Sequence, residues 1–78
     1  MASFEVRVVD DNQEGLKGAR VRLEFVNQTR GMSASEYTDS DGSAYFDGYD
    51  EGDIEVYVDG SSYGRYHYED GGSITITK

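Results

Sequence analysis

Few side chains in this sequence are suited to catalysis. There is one histidine, His67, and no cysteine. Serines and aspartates are frequent, but no serine stands in a motif typical of an activated nucleophile. His67 lies between Tyr66 and Tyr68 in an extended segment, where a surface or cross-strand position is the simplest interpretation. The same shortage of ligands argues against zinc. We therefore expect that the protein is not an enzyme and needs no cofactor.

Carboxylates suggest a second chemistry, calcium binding. The segment Asp39-Ser40-Asp41-Gly42 begins like an oxygen-ligand loop, but it lacks the further ligands and the closing glutamate of an EF-hand. Turns also favour aspartate and glycine for backbone reasons, and this simpler interpretation predicts no metal site. Loops of an antiparallel sandwich alternate between its two ends. The expected groups are Asp10, Asp11, Glu14, Asp39, Asp41 and Asp59 at one end, and Asp47, Asp50, Glu51, Asp53, Glu69 and Asp70 at the other.

Seven tyrosines are the most unusual feature of the composition. Exposed rings stack on sugars or form protein-binding patches, because tyrosine brings a large contact area with little entropy loss. The structural alternative is that tyrosine fits a half-buried pleated sheet and forms cross-strand pairs. Strand parity directs Tyr45 and Tyr57 outward and places Tyr66 and Tyr68 on a common face. The candidate ligand-binding residues are Tyr45, Tyr57, Tyr63, Tyr66 and Tyr68.

The elements that position these side chains are predicted to be β-strands, because apolar residues alternate with period two and no segment sustains a 3.6-residue period. The predicted strands are 4–8, 19–25, 32–38, 44–46, 54–58, 63–68 and 73–77. The predicted turns are 10–15, 27–31, 39–42, 47–52, 59–62 and 69–72. Gly42 is expected to take a positive φ in a tight hairpin. Seven short strands at near-regular spacing predict an all-β fold, an antiparallel Greek-key β-sandwich.

The alternation also predicts which side chains form the core. The expected inward residues are Phe4, Val6, Val8, Ala19, Val21, Leu23, Phe25, Ala44, Phe46, Ile54, Val56 and Val58. Val21, Leu23, Phe46 and Val56 are expected at its centre. The third strand has two alternatives: either Ala34 and Thr38 point inward with Glu36 among them, or Ser33, Ser35 and Tyr37 do.

Length and charge limit the remaining possibilities. A chain of 78 residues has room for one domain, 1–78. A net charge of −9 argues against nucleic acid and anionic membranes as partners. No run reaches the 18 apolar residues of a membrane span, and the chain enters a strand at once, so we expect neither membrane insertion nor a signal peptide. A monomer is expected, with a protein or a carbohydrate as its partner.

Several short motifs resemble those of the carboxypeptidase regulatory-like domains. They are Leu16-Lys17-Gly18-Ala19-Arg20-Val21, Thr38 to Gly42 before Ala44-Tyr45-Phe46, and Glu51 to Val58 before Gly60 and Tyr63-Gly64. The resemblance spans about residues 4 to 77, and transthyretin-like domains and the B-type repeats of collagen adhesins share it. Two positions depart from the family pattern, since Glu51 replaces a proline that often precedes the turn glycine and Ile54 stands near an expected aromatic. The resemblance implies a prealbumin-like sandwich without catalysis.

The adhesin repeats often carry a crosslink between a lysine on the first strand and an asparagine on the last. Here Arg7 and Val9 occupy the region of that lysine, and the last strand has no asparagine, so we expect no such bond. The family resemblance implies an accessory or spacer module of a larger secreted or cell-surface protein. The alternative is a ligand-binding module that uses the exposed tyrosines. The run 59–66, rich in serine, glycine and tyrosine, also permits an engineered binding loop on a sandwich scaffold.

Overall fold

Two β-sheets face each other in the computed structural model, which describes residues 2–26 and 32–78. Its strands are β1 (Ala2–Val9), β2 (Arg20–Phe25), β3 (Glu36–Tyr37), β4 (Ser43–Tyr49), β5 (Gly52–Val58), β6 (Ser61–Tyr68) and β7 (Gly72–Thr77). One sheet has the order β4-β1-β7 and the other β3-β2-β5-β6. The predicted seven-stranded β-sandwich is confirmed. The turn predicted at 27–31 lies outside the described residues.

One strand pair departs from an antiparallel arrangement. β1 pairs antiparallel with β4 but parallel with β7, in a register that runs from Phe4 opposite Gly72 to Val9 opposite Thr77. The reason is topological: the chain reverses at each connection, so odd-numbered strands share one direction. As a consequence, β1 begins and β7 finishes at opposite ends of a body about 35 Å long.

The core forms where the alternation predicts it. All twelve predicted inward residues are buried, each at 6% exposure or less. Four further apolar or aromatic side chains join them near strand ends or on the last strand: Ala2, Val9, Tyr68 and Ile76. Burial of alternate side chains from both sheets removes apolar surface from water, and this is the main contribution to stability in a chain without disulfides.

Neither alternative for the third strand is correct. Strand β3 has only two residues, both exposed, and the buried side chains nearby are Ser33 and Thr38, one from each alternative. The Thr38 hydroxyl accepts a hydrogen bond from the Ala19 amide at 2.9 Å and donates to the Leu16 carbonyl at 2.5 Å. The Ser33 hydroxyl accepts from the Leu23 amide at 2.9 Å. Hydrogen bonds to the backbone, not strand parity, therefore determine which side chains this segment buries.

Two turns differ from prediction in their roles. Gly42 has the predicted positive φ, at 83°, but its tight turn joins β3 of one sheet to β4 of the other and is not a hairpin. The true two-residue hairpin lies at Asp59 and Gly60, whose φ values of 51° and 87° are typical of a type I′ turn. β6 therefore begins at Ser61, and most of the run 59–66 is strand and not a binding loop.

Candidate functional site

The five predicted tyrosines do not form one surface. Tyr57, Tyr63 and Tyr66 lie on β5 and β6 of the four-stranded sheet, and Tyr45 lies on β4 of the other sheet. Tyr68 is completely buried. Because the two sheets face each other across the core, an outward side chain on one cannot join a row on the other. The five candidate tyrosines therefore do not line one exposed face, although Tyr45 and Tyr57 point outward as parity predicts.

Tyr68 belongs to the core and not to a ligand site. Its ring centroid lies 5.0 Å from that of Phe4, 5.4 Å from that of Phe25 and 6.1 Å from that of Tyr49. Its hydroxyl donates to the Ala2 carbonyl at 2.5 Å, which ties the end of β6 to the start of β1. Burial raises the pKa of the Tyr68 hydroxyl above its usual value. Tyr66 shares its face, as predicted, but that face is the inner one.

The other tyrosines on β5 and β6 are only partly available. Tyr63 and Tyr66 are half-buried and pack against the core. Tyr57 lies on the outer face, where its hydroxyl donates to a Glu24 carboxylate oxygen at 3.2 Å. Partial burial, and then the hydrogen bond to Glu24, raise the pKa of Tyr57. Its polar end is therefore already bound within the protein.

Of the five predicted tyrosines, Tyr45 is the one that is both well exposed and beside a cleft. Its side chain is 62% exposed, and it borders a cleft of about 380 Å³ between β1, β4 and the β6–β7 turn. The register places Glu5 directly opposite Tyr45, and Ser3 opposite Asp47. The polar and small residues that line the cleft with Tyr45 are Ser3, Glu5, Asp47, Gly71 and Gly72.

The sequence analysis named Tyr45 as a candidate residue but did not name Glu5 or Ser3, which lie beside it in the cleft. Glu5 and Ser3 lie about forty residues before Tyr45 in the chain, so only the β1–β4 register brings them beside it. One oxygen of the Glu5 carboxylate accepts a hydrogen bond from the Ser43 hydroxyl at 2.7 Å, which fixes the carboxylate next to the ring. The cleft thus combines an exposed aromatic face with one fixed hydrogen-bond acceptor, the Glu5 carboxylate.

At the opposite end of the sandwich, turn carboxylates accept hydrogen bonds from backbone amides of their own turns. The Asp39 carboxylate accepts from the amides of Asp41 at 2.9 Å and Ser43 at 3.0 Å. The Asp10 carboxylate accepts from the Asn12 amide at 2.8 Å. Within residues 2–26 and 32–78, no three histidine, aspartate or glutamate side chains converge in a way that could hold a metal ion. The observed hydrogen bonds are those of turn formation.

Asp59 connects three parts of that same end. Its carboxylate accepts from the Arg20 amide at 3.1 Å and forms an ion pair with Lys78. The hydrogen bond from Lys78 lowers the pKa of Asp59, and the same contact raises the pKa of Lys78. This pair therefore fastens the residue after β7 to the β5–β6 hairpin.

His67 is paired with a carboxylate on the neighbouring strand. Its Nδ1 lies 3.1 Å from an Asp53 oxygen, and both side chains are more than half exposed. No serine hydroxyl is shown bonded to His67: the Ser43 and Ser62 hydroxyls donate to the carboxylates of Glu5 and Glu55 in the described part of the chain. His67 thus has the cross-strand position expected from the sequence.

Among the described residues, no helix is long and apolar enough to cross a membrane.

Comparison with known proteins gives a fold likeness without a sequence family. No family model matches this sequence, and no curated protein matches it. The minor pilin GBS52 of Streptococcus agalactiae has a solved structure that is similar over 99% of this chain, with a TM-score of 0.72 and 17% identity. BcpA, the major pilin subunit of Bacillus cereus, gives 0.72 and 12% over the same share. The TIE protein of Bacillus anthracis gives 0.71 and 17%, again over 99%.

Each of these similar proteins is much longer than the present chain. The present chain spans 42% of the GBS52 chain, 28% of the BcpA chain and 16% of the TIE chain. At identities of 12–17%, the likeness shows the fold alone. The described residues therefore form a seven-stranded β-sandwich whose fold resembles part of the longer pilins GBS52 and BcpA and of the TIE protein.

Proposed function

We propose that this chain acts as a non-catalytic spacer module of a larger protein at the cell surface. The observation that carries the proposal is the position of the two ends. Because β1 and β7 run parallel, the chain enters at one end of a 35 Å body and leaves at the other. A domain of this form extends a protein in a line when it is joined to neighbours. The fold likeness to parts of pilus and surface proteins supports the same role.

The spacer proposal predicts where the chain is found and how large its parent is. Antibodies raised against residues 2–78 are expected to label intact cells of the source organism. On a denaturing blot they should detect a band far larger than 78 residues would give. Pre-immune serum serves as the control. A band at the size of the isolated chain, recovered only from the cell interior, would refute the proposal.

A second candidate function, binding of a neutral saccharide, is favoured by the cleft beside Tyr45. An aromatic face packs against the C–H face of a pyranose ring, and a fixed carboxylate such as that of Glu5 accepts hydrogen bonds from its hydroxyl groups. Glu5 and Asp47 would repel phosphates and acidic sugars, so the expected ligand is uncharged.

Tyr37 provides a matched control for this site. It is 63% exposed, against 62% for Tyr45, but it lies on β3 of the other sheet. In NMR titrations with a panel of methyl pyranosides, Tyr45→Ala is expected to weaken binding about tenfold, while Tyr37→Ala leaves it unchanged. Equal losses in both variants, or no shift at Glu5 and Asp47 with any sugar in the panel, would exclude the cleft as the site.

A further inference from the structure

The four edge strands of the sandwich are not equally protected against pairing with another strand. β3 has only two residues. β4 has a register shift opposite Ala2 and Ser3, with Gly48 at φ 89°. β6 has a shift opposite the stretch from Glu55 to Tyr57, with Gly64 at φ 101°. Short length and bulges of this kind prevent edge-to-edge association.

β7 is the exception among these edges. Its register with β1 is unbroken over six residues, and the strand Gly72–Thr77 carries no charge. Ile74 and Ile76 are directed toward the core, while Ser73, Thr75 and Thr77 are exposed. A straight, uncharged edge of this length is a ready template for one more strand.

The direction of the free backbone groups follows from one hydrogen bond. The Lys78 amide donates to the Val9 carbonyl at 2.9 Å, so the backbone N–H of residue 78 points toward β1. Backbone groups of successive strand residues point to opposite sides. The amides and carbonyls of Ser73, Thr75 and Thr77 are therefore directed away from β1. They offer three donors and three acceptors along the open edge.

This pattern is complementary to itself. We propose that β7 pairs antiparallel with β7 of a second copy of this chain, about a two-fold axis at Thr75. Thr75 then lies opposite its own copy, and Ser73 lies opposite Thr77. These are the residues with outward backbone groups, so six hydrogen bonds form. Ile74 lies opposite Ile76, which keeps both on the inner face and joins two three-stranded sheets into one.

Charge determines how strongly the two copies associate. The net charge of −9 on each chain opposes dimerisation. At the edge itself, Lys78 of one copy lies opposite Gly72 of the other, but its ammonium is already paired with Asp59 of its own chain and adds little attraction to the acidic turn residues Glu69 and Asp70. Salt shortens the Debye length from about 30 Å at 0.01 M to about 10 Å at 0.1 M, and so weakens the general repulsion. The dimer should therefore grow with salt as well as with protein concentration.

Sedimentation equilibrium tests the pairing with two variants of one residue. Thr75→Pro removes an outward amide and leaves the β1–β7 ladder intact, and its ring blocks the edge. It is expected to raise the dimer Kd about tenfold or more, while Thr75→Val, which keeps the amide, changes it less than about twofold. Wild-type protein that stays monomeric at about 1 mM in about 0.3 M salt would overturn the proposal and leave the edge to a strand of another protein.

A second pair of variants keeps the test decisive if Thr75→Pro does not fold. Thr75→Lys lowers the net negative charge but brings two lysines face to face at the two-fold axis. Asn12→Lys makes the same charge change on the exposed loop after β1. We expect Thr75→Lys to weaken the dimer and Asn12→Lys to strengthen it. If both strengthen it equally, the contact lies elsewhere and the β7 pairing is wrong.

Discussion

Replacing Tyr68 by alanine is expected to lower the free energy of unfolding by about 3–5 kcal/mol. The side chain is completely buried, and its ring contacts those of Phe4, Phe25 and Tyr49. Its removal leaves a cavity between the two sheets and breaks the hydrogen bond to the Ala2 carbonyl. Small domains have about 5–15 kcal/mol of stability in total, so the variant should lose much of its native population. Urea denaturation followed by circular dichroism measures the change.

Two milder variants separate the contributions of the ring and the hydroxyl. Tyr68→Phe keeps the packing but leaves the Ala2 carbonyl without its partner, which is expected to cost about 1–2 kcal/mol. Tyr66→Ala removes a half-buried ring from the same strand and should have a smaller effect than Tyr68→Ala. A loss below about 1 kcal/mol for Tyr68→Ala would mean that the side chain is not part of the core.

Gly42→Ala is expected to destabilise the protein by at least about 2 kcal/mol more than Gly18→Ala. Both glycines have a left-handed backbone, with φ values of 83° and 80°, so both substitutions incur a similar conformational penalty of about 1–2 kcal/mol. They differ in their surroundings. A Cβ at Gly42 would lie 2.4 Å from the Val8 carbonyl oxygen and 2.7 Å from Gly15 Cα, whereas nothing lies within 4 Å of one at Gly18.

The crowding at Gly42 cannot be relieved by a side-chain movement, because the nearest atoms belong to the backbone. The Gly42 carbonyl accepts a hydrogen bond from the Val8 amide at 2.7 Å, and separating the two segments would break it. Thermal melts of the two variants, made and measured side by side, give the comparison. Equal stabilities for Gly42→Ala and Gly18→Ala would show that the loop after β1 does not approach the β3–β4 turn this closely.

Alternation was enough to predict the core, because a strand that is buried on one face must place every second side chain there. Val21 and Leu23 follow this rule in mid-strand. The rule says little about strand ends, where parity gives a common face for Tyr66 and Tyr68 but does not say which face is inner. It also fails for Ser33 and Thr38, which bond to the backbone of other segments.

The candidate cleft was less accessible to sequence reasoning than the fold. The exposure of Tyr45 follows from parity, but its neighbours depend on how β1 and β4 are aligned. Glu5 lies opposite Tyr45 only in the observed register, and a one-residue slip would turn Glu5 to the core. The turn glycines at 71 and 72 reach the cleft through the β1–β7 pairing, which joins the two ends of the sequence.

The parallel pairing of β1 and β7 has a mechanical consequence. Tension applied through the two ends of the chain pulls β1 and β7 in opposite directions along their common axis. The hydrogen bonds from Phe4 opposite Gly72 to Val9 opposite Thr77 are then sheared together, whereas a terminal hairpin would be unzipped one bond at a time. Forced unfolding is governed by the unfolding rate, so a domain of modest equilibrium stability can still resist a stretching load.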